Sequence, residues 1–168
     1  KDLGNKSYFT ARRHTVKLSG KEDKPSGISD QPYFSKDNKI ALIFNGEFYN
    51  FEKYRKDLIS KKIKFESEGD TEVLLRLYEF YGINFLRDKK IDSLYSLAIY
   101  DFNLNKIYIS RDWPGRIPLY YYKEKDKFIF SSELKAFRAI KDLSLNDPIE
   151  LEPGKILEYD ISSDSLNV

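Results

Sequence analysis

The chain has 168 residues, enough for one domain with a single core. Its 29 basic and 27 acidic residues leave a net charge of +2, which gives no general electrostatic case for nucleic acid or an anionic membrane. Zero cysteines exclude disulfides and thiolate metal sites within the chain, and the single histidine, His14, excludes a histidine cluster; a carboxylate site for a hard cation stays open but has no motif behind it, and no metal site is assigned.

Residues 1–32 carry weak structural signals. Thr15, Val16 and Leu18 suit a short strand, and residues 21–30 read as a polar loop around Pro25 and Gly27. The apolar run 40–44 predicts a buried strand after a polar turn at 35–38. Phe51, Tyr54 and Leu58 recur at helical spacing behind Asn50, a suitable N-cap, and predict a first helix ending near Lys61 and Lys62. Val73, Leu74, Leu77, Tyr78 and Tyr81 predict a second helix, with Asp70 near its start and Gly82 after its end. A short third helix is expected over 84–89. The period then changes to that of strands. Residues 94–101 and 106–111 read as one hairpin, and 119–123 and 127–131 as a second. Ser132 is placed as the cap of a helix reaching Ile140, and a last strand is expected over 155–160. Helices in the middle with antiparallel hairpins around them indicate a layered α+β fold. No apolar run spans a bilayer, and no signal peptide is visible at Lys1. The start at Lys1 and the absence of methionine are read as an excerpt of a longer protein.

Three places carry groups suited to chemistry. Asn45 and Gly46 offer a side-chain amide and a glycine N–H, a good oxyanion pair for acyl transfer. Glycine also admits close approach of a ligand. The same pair suits a strand-ending turn. Asp70 can bind the α-ammonium group of an amino acid and is equally a favoured helix cap. Arg13 can clamp an α-carboxylate with its planar fork, or stand solvated beside Arg12 and Lys17. Residues 111–118, Arg-Asp-Trp-Pro-Gly-Arg-Ile-Pro, form a rigid loop that suits either a binding surface or a structural turn with an internal Arg–Asp pair.

Read together, these segments resemble a known family. Asn45-Gly46-Glu47-Phe48-Tyr49-Asn50 is similar to the N-G-E-hydrophobic-Y-N motif of the glutaminase domains of asparagine synthetases, which are class II glutamine amidotransferases. Gly69-Asp70-Thr71-Glu72-Val73 resembles their S-D-T-E-V segment. The run from Ile91 to Asp101 resembles their L-D-G-M-F-A-F-A-x-x-D strand. Arg111-Asp112, Gly115 and Pro118 to Tyr121 resemble R-D-x-x-G-x-x-P-L-Y-Y, and Ser132 to Ala136 resembles S-E-x-K-A. Order and spacing agree over nearly the whole chain. The Glu47 and Tyr49 positions, with 111–121, argue against amidotransferases acting on sugar phosphate or phosphoribosyl substrates.

The resemblance implies a four-layer αββα sandwich of the N-terminal-nucleophile hydrolase type, truncated here at its N-terminus. It implies that residues 1–168 are a single, partial type 2 amidotransferase domain whose C-terminal ATP-pyrophosphatase domain is missing. By position it assigns Arg13 to the α-carboxylate of glutamine, Asn45 and Gly46 to the oxyanion hole, and Glu47 and Asp70 to the α-ammonium group. The Arg13 match is the loosest. The parent reaction would hydrolyse glutamine and pass ammonia to aspartate or a similar carboxylate activated by ATP, as in asparagine biosynthesis. ATP and magnesium would sit in the missing synthetase domain of a cytoplasmic ligase, and no cofactor in this chain. Glutamine and that synthetase domain are the expected partners, a homodimer is compatible, and neither nucleic acid nor membrane is. The family's nucleophile is an N-terminal cysteine, absent here, so the chain alone is expected to be inactive. The alternative is a domain that has lost its nucleophile and serves as a structural or binding partner of a synthetase.

Overall fold

The computed structural model describes residues 31–124, 127–140 and 148–168. Two antiparallel sheets hold it together. The larger has six strands in the order β1-β2-β3-β4-β8-β9: β1 (Tyr33–Phe34), β2 (Ile40–Phe48), β3 (Ser93–Asp101), β4 (Lys106–Arg111), β8 (Ile156–Asp160) and β9 (Ser165–Asn167). The smaller pairs β6 (Lys127–Ser131), β5 (Tyr120–Glu124) and β7 (Ile149–Glu150) in that order. The predicted hairpins are therefore β3–β4 and β5–β6. The strand predicted over 155–160 is β8.

Alternation along β2 separates two cores. Leu42, Phe44 and Phe48 face one way and join Leu97, Ile99 and Tyr108. They pack under two helices, α1 (Phe51–Ser60) and α2 (Asp70–Tyr81), through Leu58, Val73, Leu74, Leu77 and Tyr78. Ala41 faces the other way, with Ala98, Tyr100, Ile109 and Leu157, against Leu119, Tyr121, Phe128 and Phe130 of the smaller-sheet side. Both helices thus lie on one outer face, and the described residues form three layers: helices, sheet, sheet. The expected helix over 84–89 is a 3-10 helix at Gly82–Arg87. None of the described helices is long and apolar enough to cross a membrane.

Three local expectations change. Asn50 does not cap α1 with its side chain; its amide donates to Lys90 O at 2.8 Å and its oxygen accepts from Asp92 N at 3.0 Å, tying the start of α1 to the approach to β3. Ser132 caps no α-helix, because the chain there forms a 3-10 helix at Leu134–Ala139 entered through Glu133. Arg111 and Asp112 do not pair with each other in the described structure. Arg111 Nη1 donates to Glu150 Oε1 at 2.7 Å and Leu151 O at 2.8 Å, and Nη2 to Gly115 O at 2.6 Å. The buried guanidinium therefore fastens the loop after β4 to the segment following β7. Trp113 stays outside, 84% exposed, lying over Gly154.

Candidate functional site

The predicted oxyanion pair stands inside a strand, not at its end. β2 runs on through Asn45, Gly46 and Glu47 to Phe48, in unbroken register with β3: Asn45 opposite Ser96, Gly46 opposite Tyr95, Phe48 opposite Ser93. The strand-ending turn is excluded by this pairing. Glycine is required at 46 for a reason other than ligand approach alone. A Cβ there would meet Leu94 O at 2.1 Å and Tyr95 Cα at 2.7 Å, both main-chain atoms of β3.

The direction of each peptide group along β2 follows from its partners. Ile40 N donates to Ser35 Oγ at 2.9 Å, Phe44 N to Gln31 Oε1 at 2.7 Å, and Phe48 N to Asp70 Oδ2 at 3.1 Å, all on the edge away from β3. Lys39 and Tyr49, of the other parity, bond on the β3 side, to Phe102 N and Asp92 O. Alternation therefore turns the N–H of Gly46 to the same outer edge as those of Phe44 and Phe48. Successive groups on that edge repeat every two residues, about 6.8 Å, comparable with the length of an extended glutamine.

Asn45 and Glu47 project on the face toward the smaller sheet, where Asn45 Nδ2 donates to Ser132 Oγ at 3.3 Å across the mouth between the sheets. This contact joins two of the sequence motifs. Among the described residues this is the one hydrogen bond of the Asn45 carboxamide.

Asp70 is the first residue of α2, behind Gly69 as N-cap. Its carboxylate accepts from Phe48 N through Oδ2 and, through Oδ1, a long 3.3 Å bond from Thr71 Oγ1, with further main-chain N–H support at the helix start. Burial pushes its pKa up, and hydrogen bonds from Phe48 and Thr71 offset part of that. A cation beside the carboxylate would relieve the cost. The sign for stability follows: a carboxyl whose folded pKa lies above its unfolded value of 3.8 destabilises the fold as pH rises through that range. Asp70→Asn is therefore expected to leave thermal stability at neutral pH unchanged or slightly higher, while weakening an α-ammonium ligand by about 1–3 kcal/mol. Paired melting curves and ligand titrations check this. A clear drop in melting temperature would make Asp70 a structural residue instead.

Asn45, Gly46, Glu47 and Asp70 are thus gathered at the last four residues of β2, two from one face and two at the edge. Arg13 lies outside the described residues. Reading the sequence missed Gln31, whose signal is a carboxamide just before the proline that precedes β1, and Glu72. Glu72 is fully buried and closes the loop before α2 by accepting from Glu66 N, Ser67 N and Ser67 Oγ.

Antiparallel sheets stacked under paired helices are the α+β sandwich architecture of Ntn-hydrolase glutamine amidotransferases. Solved structures share the fold. The glutamine phosphoribosylpyrophosphate amidotransferase from B. subtilis superposes with a TM-score of 0.63 at 24% identity, over 82% of this chain and 30% of that one. A family model, the glutamine amidotransferase domain, matches residues 23–155. The chain belongs to this family.

Its curated relatives include asparagine synthetase [glutamine-hydrolyzing] 2 of Bacillus subtilis, 39% identical over 63% of this chain and 14% of the relative. Asparagine synthetase [glutamine-hydrolyzing] 1 of Arabidopsis thaliana is 39% identical over 67% of this chain and 18% of the relative. The amidase chry2 of Gibberella zeae is 31% identical over 79% and 20%. The chain spans a fifth or less of each of these relatives.

Proposed function

We propose that this domain binds glutamine along the outer edge of β2 and belongs to a parent protein that hydrolyses it to supply ammonia for ATP-dependent amidation of aspartate or a similar carboxylate. The observation that carries this reading is the Gly46 N–H, turned outward between Phe44 and Phe48 beside the Asn45 carboxamide. In this reading Asn45 Nδ2 and Gly46 N stabilise the negative charge that develops on the glutamine carboxamide oxygen. Asp70, assisted by Glu47, receives the α-ammonium group, and Arg13 the α-carboxylate. ATP and magnesium are assigned to the synthetase domain of the parent, and the protein to the cytoplasm. The relatives named as asparagine synthetases support this acceptor class, and the amidase chry2 widens it to other carboxylates.

Hydrolysis in this family needs a thiol whose own α-amino group serves as base. The chain has no cysteine, and Ser7 and Thr10 are internal, without a free α-amine. Residues 1–168 are therefore expected to release no ammonia from glutamine above background. The same residues preceded by their native upstream segment, if it begins with cysteine after processing, are expected to turn over. Ammonia and glutamate release from both forms is the test. Turnover by the cysteine-free chain would refute this assignment of the nucleophile. An inactive native protein would favour the second reading, a domain that binds a synthetase without catalysis.

The partner surface is assigned to the loop after β4. Trp113 is 84% exposed on a loop that buried Arg111 fastens through Gly115 O, and an exposed tryptophan on a rigid loop suits an interface core. Trp113→Ala is expected to weaken association with the synthetase domain at least fivefold, about 1 kcal/mol or more, with unchanged melting. Equal binding by both forms would remove this surface from the account.

A further inference from the structure

We propose that Gln31 is a positioning residue that keeps the Gly46 N–H open to the ligand; this rests on the glutamine reading above and names a residue that makes it work. The β1–β2 register pairs Tyr33 with Leu42 and Phe34 with Ala41, so Gln31 falls opposite Phe44. At that position the strand partner is not its main chain but its side chain. Gln31 Nε2 donates to Phe44 O at 2.7 Å, and Phe44 N donates to Gln31 Oε1 at 2.7 Å. A carboxamide carries one N–H and one C=O in the arrangement of a peptide group, so it satisfies Phe44 as a strand would. The difference is reach. A partner that bonds through its side chain can keep its own main chain farther off than the about 4.8 Å of a paired strand.

Pro32, next in line, has no N–H to extend the ladder. Asp70 does the corresponding work at Phe48 from the other side, again with a side chain and not a strand. The edge is thus satisfied at 44 and at 48 by two side-chain posts, and Gly46 lies between them. An unpaired edge N–H invites another strand. Among the described residues, holding the flanking positions with side chains leaves a slot one residue pair long, wide enough for an amino acid. Without Gln31, Phe44 loses both edge bonds, and the peptide groups two residues on lose their fixed direction.

The experiment uses the 15N-labelled 168-residue chain and its Gln31→Met and Gln31→Glu variants. Amide exchange is followed without ligand, and L-glutamine is then titrated. In the native chain the Phe44 amide is expected to be protected and the Gly46 amide to exchange fast. Gln31→Met, which keeps bulk and loses both bonds, is expected to speed Phe44 exchange about tenfold or more. It should also shrink the limiting glutamine-induced shift at Gly46, while that at Phe48, held by Asp70, stays within about a third of the native value. A loss of packing alone would reduce both together. Gln31→Glu keeps an acceptor for Phe44 N, loses the donor to Phe44 O, and is expected to fall between; it also serves if the methionine variant does not fold. A native Gly46 response carried unchanged by both variants overturns the role of Gln31 alone. No glutamine response in the native chain overturns the glutamine reading, and the role of Gln31 with it.

Discussion

Glu72→Ala is expected to destabilise the domain by about 3–5 kcal/mol, the range for removing one partner of a buried, hydrogen-bonded charge. The carboxylate is fully buried. It accepts from Glu66 N at 2.9 Å, Ser67 N at 2.6 Å, Ser67 Oγ at 2.7 Å and Arg76 Nη2 at 3.1 Å. Alanine leaves these donors in a dry space and frees the loop that leads into Asp70. Burial alone would raise the Glu72 pKa, but the bonds from Glu66 and Ser67 outweigh it, and the net direction is down from 4.5. A depressed carboxyl gives stability that is present above 4.5 and lost as pH falls through the folded value. Urea unfolding at neutral pH reads the first effect. A flatter acid limb in Glu72→Gln reads the second. A loss below about 1 kcal/mol for the alanine variant would show that the loop is held by other contacts.

Gly46→Ala should be costly in a different way. The added methyl would lie 2.1 Å from Leu94 O, and main-chain atoms cannot rotate aside as a side chain does. β2 and β3 must part locally, at about 1–3 kcal/mol or more for overpacking. The N–H assigned to the oxyanion hole moves with them. The expected result is a lower melting temperature and no glutamine response at Gly46 even where the variant is folded. An alanine variant within about 0.5 kcal/mol of the native chain would mean that the strands can separate there at little cost.

Much of the fold was legible because its elements are strongly periodic. The stripe from Val73 to Tyr78 and the β3–β4 hairpin are sequence patterns that local rules read directly. The short strands β1, β7 and β9 were not legible: two or three residues carry no period, and pairing alone makes them strands. Asn50 and Ser132 look like caps locally, yet their side chains are engaged elsewhere, by Lys90 and Asp92 and by Asn45. A tertiary contact there outcompetes the local one. At the site, the motifs brought the right residue types forward but not their placement. That Gly46 is hemmed in by β3, and that its N–H faces an edge bracketed by Gln31 and Asp70, depends on register between segments distant in sequence.

The central claim is that the outer edge of β2 is a glutamine site. Titrating L-glutamine into the 15N-labelled chain, with D-glutamine as control, tests it most directly. The account predicts saturable shifts concentrated at the Gly46 and Phe48 amides and the Asn45 side-chain amide. The midpoint should be on the order of millimolar, about −4 kcal/mol, lost in Asp70→Asn and absent with the D-isomer. Shifts that do not saturate, that are equal for both isomers, or that lie away from β2 would contradict it.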